Sequence, residues 1–434
     1  MDILEVLVNA GGRVHSVSGH RPLNHACGRG DAQVATFLID HGADLNERDG
    51  NGLTPLENTL HLPGRLGIAR LLLDRGAILE TRSDRWGYML GGDYNLSRIS
   101  EKQFGYTPLA FSCLIAAPES VRFLLDNGAD MSTKTANLSR RGYQLMDIII
   151  RQSPPKNTED IVSVLMQKGY DMEEKDANGH TSLMRAVIRG NGQVVSALVK
   201  LGVNLNATDF GGTTALTHAT RGVTPAKMMS RRLHAEIDDV QAVAELILAG
   251  ADVDAQYISD GFTPLMRACS RNLVETVATL LDAGASIDAR GVRGYTPIII
   301  CSSNGNTNIL RLLLKRGADI SSKSDTPSRF NWLRKKGILM GYNSLMVACI
   351  NGHIDTVDVL LEGGIDIDET DSDRNTSLHM AVAAENAALV TKLVASGARV
   401  NTKNTDDLSP LTLAMSIGRQ DITDILVLNG AVIE

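Results

Sequence analysis

The chain has 434 residues, 43% of them apolar, so it is large and apolar enough to bury a core, and wholesale disorder is excluded. Its net charge of −7 excludes an overall basic surface of the kind that duplex-binding proteins use, so nucleic acid is an unfavoured partner. No apolar run is long enough to cross a membrane, and the first residues lack the basic segment of a secretory signal. We therefore expect a cytoplasmic protein, in its own cell or in a host, with no membrane partner.

The first predicted element is a helix at residues 1–12, which looks like the second helix of a two-helix unit without its first helix. This helix is apolar on more than one side because it carries Ile3, Leu4, Val6, Leu7 and Val8. An apolar end on a repeat array needs a cover, since terminal units are normally polar. Two interpretations stay open: the end forms a homo-oligomer contact, or the exposure is simply tolerated.

A Thr-Pro-Leu motif then recurs along the chain. Clear copies are Thr54-Pro55-Leu56, Thr107-Pro108-Leu109 and Thr263-Pro264-Leu265, with Thr296-Pro297-Ile298 as a close variant. Five of the steps between neighbouring copies, weaker ones included, are 33 residues long. Each copy predicts a helix start, because Thr caps the first turn and Pro is tolerated where the N–H has no helical partner.

Glycines mark the same period independently. A glycine falls 20 residues after most Pro positions, at Gly42, Gly128, Gly202, Gly284, Gly317, Gly364, Gly397 and Gly430. A nearer glycine, such as Gly30, Gly190, Gly305 or Gly352, separates two short helices, since Gly readily adopts the left-handed conformation that ends a helix. Each unit is therefore predicted to contain two helices and a turn rich in Asp, Asn and Gly.

This combined pattern closely resembles the ankyrin repeat, at that family's own period. The resemblance implies an all-α solenoid of stacked helix-turn-helix units with hairpin fingers, forming a single array over residues 1–434. Eleven repeats follow the half repeat, and they start near Arg21, Thr54, Thr107, Tyr143, Thr181, Thr214, Thr263, Thr296, Asn343, Thr376 and Ser409. The unit at 143–146 lacks Thr-Pro, so we expect it to be distorted.

Four insertions interrupt the period. Two lengthen fingers, at about 82–103 and 321–339, and two lengthen the turn between the helices of one repeat, at about 153–157 and 221–236. The finger insertions hold both tryptophans of the chain, in the pairs Trp86 with Tyr88 and Phe330 with Trp332. Aromatic side chains dominate binding hot spots, so these four are candidate partner contacts. The alternative is that each finger folds back and its tryptophan fills a small satellite core.

The residue after the turn glycine is a surface position in the family. Here it is aromatic at Tyr106, Phe262, Tyr295 and Tyr342. An exposed apolar line of this kind usually marks an interaction site. Arg293 and Arg334 would give it a basic rim suited to an acidic partner. The alternatives are that the rings pack on neighbouring fingers and that the basic side chains have no partner.

The sequence shows no sign of catalytic or metal chemistry. The five cysteines, Cys27, Cys113, Cys269, Cys301 and Cys349, occupy the small-residue position of the first helix, where we expect them to be buried. They form no zinc spacing and no disulfide framework, and no phosphate-binding or metalloprotease motif is present. We therefore expect neither a cofactor nor a metal nor an enzyme.

These observations favour a non-catalytic array that binds a protein and recruits, sequesters or inhibits it through its concave face and fingers. One alternative is binding of a nucleic acid or nucleotide through the basic insertions, which contain Arg231, Arg232, Lys335 and Lys336. Another is an effector or inhibitor from a bacterium or virus that acts on a host or defence protein. The sequence does not identify the partner.

Overall fold

The computed structural model describes residues 21–61, 64–82, 105–132, 144–151, 157–221, 240–325 and 341–433. These residues form twenty-two helices and no strand, apart from one isolated antiparallel bridge between Lys323 and Asn343. The all-α prediction is confirmed. None of the described helices combines the length and the apolar character that crossing a membrane would need. The four predicted insertions and the helix at 1–12 lie almost entirely outside the described residues.

The chain divides into two compact units. The first comprises residues 1–176 and 180–203, and the second comprises 177–179 and 204–434. Within each unit, successive two-helix repeats stack on one another. The single array over 1–434 stays a prediction.

The first unit contains ten helices among its described residues. They are α1 (Pro22–Arg29), α2 (Ala32–Asp40), α3 (Pro55–Leu60), α4 (Leu66–Asp74), α5 (Pro108–Leu114), α6 (Pro118–Asp126), α7 (Leu145–Arg151), α8 (Thr158–Gln167), α9 (Ser182–Arg189) and α10 (Gly192–Lys200). Odd-numbered members are the inner helices that follow the Thr-Pro-Leu positions, and even-numbered members are the outer helices.

The second unit continues the same alternation. Its described helices are α11 (Ala215–Ala219), α12 (Val240–Leu248), α13 (Pro264–Ser270), α14 (Val274–Asp282), α15 (Pro297–Asn304), α16 (Thr307–Lys315), α17 (Ser344–Asn351), α18 (Ile354–Glu362), α19 (Ser377–Ala383), α20 (Ala387–Ala395), α21 (Pro410–Ile417) and α22 (Gln420–Leu428). Neighbouring inner helices pack side by side, as do neighbouring outer helices.

The predicted start and stop signals are confirmed. The Thr263 hydroxyl accepts the backbone N–H of Met266 at 3.3 Å and caps α13. Gly30 and Gly190 end α1 and α9 with φ angles of 81° and 68°, in the left-handed region that glycine reaches without strain. The described helices have only five to ten residues and would be marginal alone, so these caps and the tertiary packing stabilise them together.

The apolar residue after each Pro position belongs to the buried core of its unit. This residue is buried wherever the described inner helix begins at the Pro position. Examples are Leu56, Leu109, Leu265 and Leu378. Each fully buried leucine contributes about 1.5–3 kcal/mol relative to an exposed one. The five cysteines are also buried and free, as their place on the inner helices predicts.

The unit that lacks Thr-Pro still forms its inner helix, α7. Asp147 lies in its first turn and accepts the backbone N–H of Gln144 through Oδ2 at 3.2 Å, which is the backward half of a capping box. The Arg185 guanidinium on α9 donates to Asp147 Oδ1 at 3.0 Å and to Gln144 Oε1 at 2.9 Å. The expected distortion therefore does not remove the helix, since a charged hydrogen-bond network holds its first turn.

Candidate interaction surface on the finger tips

Three consecutive turns of the second unit project from the bases of its inner helices. We call residues 209–213, 257–262 and 291–295 the first, second and third finger. In the first finger, Asp209 Oδ1 accepts the N–H groups of Gly211 and Thr213, both at 2.8 Å, and Oδ2 lies 2.9 Å from Nε2 of His218 on α11. Burial alone would raise the pKa of Asp209. The hydrogen bonds from the Thr213 N–H and His218 have the larger, opposite effect, so the pKa lies below its ordinary value.

The second finger is closed in the same way by its own carboxylate. Gly261 N donates to the Tyr257 carbonyl at 2.7 Å, and Tyr257 N donates to the Phe262 carbonyl at 3.0 Å. Asp260 Oδ1 accepts the Phe262 N–H at 3.0 Å, and its Oδ2 accepts Arg267 Nη2 at 2.8 Å. The first finger is therefore fixed by His218 to the inner helix that follows it, and the second finger is fixed in the same way by Arg267.

Arginine and aromatic side chains stack beneath the second finger. The Arg267 guanidinium carbon lies 5.0 Å from the Phe262 ring centroid and 5.6 Å from that of Tyr257. Arg221 lies 5.7 Å from the Tyr257 centroid. Such contacts are worth about 0.5–2 kcal/mol each, depending on how far the cation is desolvated. The stack makes the base of the second finger rigid.

The tips of the three fingers expose large apolar side chains. Phe210 is 71% exposed, Ile258 75% and Val292 67%. Each tip residue packs against a glycine of the turn before it, where an added Cβ would collide with the tip residue. The pairs are Gly179 with Phe210, Gly212 with Ile258, and Gly261 with Val292. We call Phe210, Ile258 and Val292 the finger-tip surface. Its members lie on neighbouring fingers, and the glycines beneath them permit the close approach.

Replacing Gly261 with Ala should lower the free energy of unfolding of the second unit by about 2–3 kcal/mol. Its φ angle is +66°, and the new Cβ would lie 2.8 Å from the Val292 nitrogen. That nitrogen donates to the Asp260 carbonyl at 2.9 Å, so the bond between the fingers would stretch. Gly284→Ala is the matched control, because its φ is +85° with no neighbour within 4 Å, and it should lose only about 1 kcal/mol. Urea unfolding with hydrogen exchange measures both, and equal losses would contradict the close approach.

The predicted site residues differ in their exposure. Phe262 and Tyr295 are half-buried and Arg293 is exposed. Phe262 packs under Arg267, and Val292 and Arg293 belong to the same finger as Tyr295. Trp86, Tyr88, Phe330, Trp332 and Arg334 lie outside the described residues.

The expectation that Tyr106 and Tyr342 lie on the surface is wrong. Tyr106 is only 3% exposed and Tyr342 only 2%. The backbone of Tyr342 is paired, because its carbonyl accepts the Ser324 N–H at 2.9 Å, and its ring lies near Asp371 of the next finger. Burial, followed by the charges of Asp371 and Asp373, raises the pKa of Tyr342 above its ordinary range. The neighbouring finger thus covers a position that a single repeat would leave open.

Sequence reasoning missed all three members of the finger-tip surface. A signal was present, since turns of this type are normally occupied by Gly, Asn, Asp and Ser. Phe210 stands between Asp209 and Gly211, and Val292 stands between Gly291 and Arg293. A large apolar residue has no turn-forming role there, so its presence indicates another use.

Comparison with known proteins gives a consistent result. A family model described as ankyrin repeats (3 copies) matches residues 1–83, 150–226, 233–324 and 345–434. The chain is 30% identical over 94% of its length to the ankyrin repeat and KH domain-containing protein mask-1 of Caenorhabditis elegans, and it spans 15% of that protein. It is 27% identical over 51% of its length to the mouse B-cell lymphoma 3 protein homolog and spans 46% of it. The chain therefore covers less than half of each of these relatives.

A solved structure is similar as well. The ankyrin repeat domain of Bcl-3 matches 58% of this chain and 99% of that domain, with 27% identity and a TM-score of 0.46.

Proposed function

Since the chain belongs to the ankyrin-repeat family, we propose that it binds a partner protein through the finger-tip surface and thereby recruits, sequesters or inhibits that partner without catalysis. Ankyrin repeats are in general protein–protein interaction modules, and the family is in general non-catalytic. One observation carries the proposal: Phe210, Ile258 and Val292 are each about two-thirds exposed or more on three consecutive fingers. Adjacent exposed apolar groups on a soluble protein usually mark a binding site.

The rigidity of the fingers supports this role. Asp209 and Asp260 fix their turns with hydrogen bonds of 2.8–3.0 Å, so the tips lose little conformational freedom when a partner covers them. A small cluster of buried apolar anchors typically contributes most of the binding energy of an interface. Arg293 is exposed and follows Val292 in the third finger, and a cation there would orient an apolar segment that also carries acidic groups.

The test compares the full chain with the triple variant Phe210→Ser, Ile258→Ser and Val292→Ser. Proteins captured by the wild-type chain and lost with the variant are identified by mass spectrometry, purified, and their Kd values measured. We expect the variant to bind at least about tenfold more weakly, which corresponds to about 1.4 kcal/mol. An assay of the partner's own activity, with and without the chain, separates inhibition from recruitment.

Leu248→Ser is the matched control. Leu248 is 87% exposed at the end of α12 in the same unit, so the change removes a comparable apolar side chain outside the fingers. The control should bind like the wild type, and all variants should unfold at similar urea concentrations. Unchanged binding by the triple variant, or an equal loss in the control, would refute the finger-tip surface as the site.

A further inference from the structure

The first unit has a cleft of its own between the inner helices α1 and α3. It has a volume of about 620 Å³, and its walls include Arg21, Asn24, His25, Arg29, Asn58 and His61. This volume is within the range of about 300–1,000 Å³ that is typical of ligand-binding pockets and far larger than a single small ion needs. We call it the basic cleft, because Arg21, His25, Arg29 and His61 all contribute to its wall.

The one carboxylate in the wall does not neutralise these groups. Asp49 Oδ1 accepts the N–H groups of Asn51 at 2.8 Å and Leu53 at 3.0 Å, and Oδ2 accepts Asn58 Nδ2 at 3.0 Å. Asp49 is therefore committed to its own turn, as Asp209 and Asp260 are in the second unit. Arg21 pairs with Glu47 at 3.5 Å, so Arg29 is the cation of the wall that keeps its charge for a ligand.

Arg29 is the basic residue of the wall that remains available to a ligand. Arg29 is exposed at the end of α1, and the described residues give it no ion-pair partner. His61 is half-buried, its Nδ1 is enclosed, and its ring lies beside the backbone of Glu57. Burial, together with the charge of Arg65, lowers the pKa of His61, so the ring is largely neutral near pH 7.

The amide side chains in the floor show which kind of ligand fits. Asn24 Nδ2 donates to the carbonyls of Glu47 at 3.1 Å and Leu53 at 2.8 Å. Asn58 Nδ2 donates to Asp49 Oδ2 at 3.0 Å and to the Thr54 carbonyl at 3.2 Å. Both NH₂ groups are thereby used, and the oxygens are left as acceptors. Amide oxygens beside an arginine suit an acidic peptide, because a peptide offers N–H donors to the oxygens and carboxylates to the arginine. A phosphate would place its own acceptor oxygens against the amide oxygens, with few or no donors.

We infer that the basic cleft binds an acidic peptide segment of a partner protein. Arg29 pairs with an acidic side chain, and the Asn24 and Asn58 oxygens accept peptide N–H groups. This inference goes beyond the proposed function, because it concerns other residues in the other unit and a charged rather than apolar contact.

The experiment uses the full chain and a fluorescein-labelled peptide of alternating Glu and Ser, with a Lys-Ser peptide of equal length as the negative probe. Fluorescence anisotropy should show saturable binding of the acidic peptide alone. Arg29→Ala should weaken it at least tenfold, and Arg29→Lys should keep most of it. Arg189→Ala is the matched control, because Arg189 precedes the capping Gly190 of α9 as Arg29 precedes Gly30 of α1. The control should bind like the wild type.

Three results would overturn the inference. The acidic peptide could show no saturable binding, or Arg29→Ala and Arg189→Ala could lose binding equally. Inorganic phosphate could also displace the peptide at equal concentration, which would indicate a phosphate site instead. The triple finger-tip variant should bind the acidic peptide as the wild type does. Loss of peptide binding in Arg29→Ala with unchanged capture of the finger-tip partner therefore separates this inference from the proposed function.

Discussion

His379→Ala should lower the free energy of unfolding of the second unit by about 3–4 kcal/mol at pH 7. The ring is buried in α19. Its Nδ1 accepts the backbone N–H of Thr376 at 3.1 Å and lies 2.9 Å from the Thr376 hydroxyl, and Nε2 donates to the Leu408 carbonyl at 3.0 Å. The substitution therefore opens a cavity, removes a capping interaction and breaks a bond between two successive repeats.

The same residue should make the second unit sensitive to acid. Burial lowers the pKa of His379 from 6.5 to about 4, since the charged ring would be poorly solvated and Nδ1 already accepts a hydrogen bond. A group with a lowered folded-state pKa stabilises the fold above its unfolded pKa, and that stability is lost as the pH falls. We therefore expect a loss of about 3 kcal/mol between pH 6.5 and pH 4.

His379→Gln separates the cap from the charge. Glutamine at this position completes a capping box with Thr376 but cannot ionise, so it should cost only about 1–2 kcal/mol at pH 7. Urea unfolding from pH 4 to pH 8, with hydrogen exchange of the amides of α19 and α21, measures both effects. If the glutamine variant kept the wild-type loss below pH 6.5, His379 would not be its source.

The helices were predictable because their signals are local. Thr263 caps α13 and Gly190 ends α9 with hydrogen bonds that span three or four residues, so the sequence around each site contains the whole cause. The inner leucine positions were predictable for a related reason, since every unit repeats the same buried face. Even α7, which lacks Thr-Pro, has a local signal, because Asp147 accepts the backbone N–H of Gln144 three residues earlier.

The interaction surface was less predictable because exposure depends on the neighbouring repeat. Tyr342 and Phe262 occupy the same place in their repeats, yet Tyr342 is buried and Phe262 is only half-buried under Arg267. Contacts with the neighbouring repeat decide between these outcomes, and a single repeat does not encode them. The finger-tip residues Phe210, Ile258 and Val292 were missed because turn sequences are usually judged by Gly and Asp alone.

Glu57 and His379 show how one repeat position can respond to pH in opposite ways. Each stands three residues after its capping threonine, and each side chain reaches back to that threonine's backbone N–H, at 2.8 Å for Glu57 and 3.1 Å for His379. The second nitrogen of His379 also reaches the next repeat. By contrast, Oε1 of Glu57 is buried with no hydrogen-bond partner in the described part of the chain.

Glu57→Gln should therefore stabilise the first unit at alkaline pH. Burial raises the pKa of Glu57 from 4.5 to about 7, against the opposing effects of the Thr54 N–H and Arg48. A raised folded-state pKa stabilises the fold below the unfolded pKa, and that stability is lost as the pH rises through about 7. Glutamine does not ionise, so we expect a gain of about 1–3 kcal/mol above pH 8 and almost none below pH 4.5. Urea unfolding with hydrogen exchange of the α1 and α3 amides measures it.

Two further variants determine whether burial is the cause. Glu119→Gln changes an exposed acid in the first turn of α6 of the same unit and should lose about 0.3–1 kcal/mol, because the acid there favours the helix dipole. Glu57→His places the His379 side chain at the equivalent position, so the stability of the first unit should then fall with acid instead of with alkali. An unchanged pH profile in both Glu57 variants would mean that the buried carboxylate does not titrate in this range.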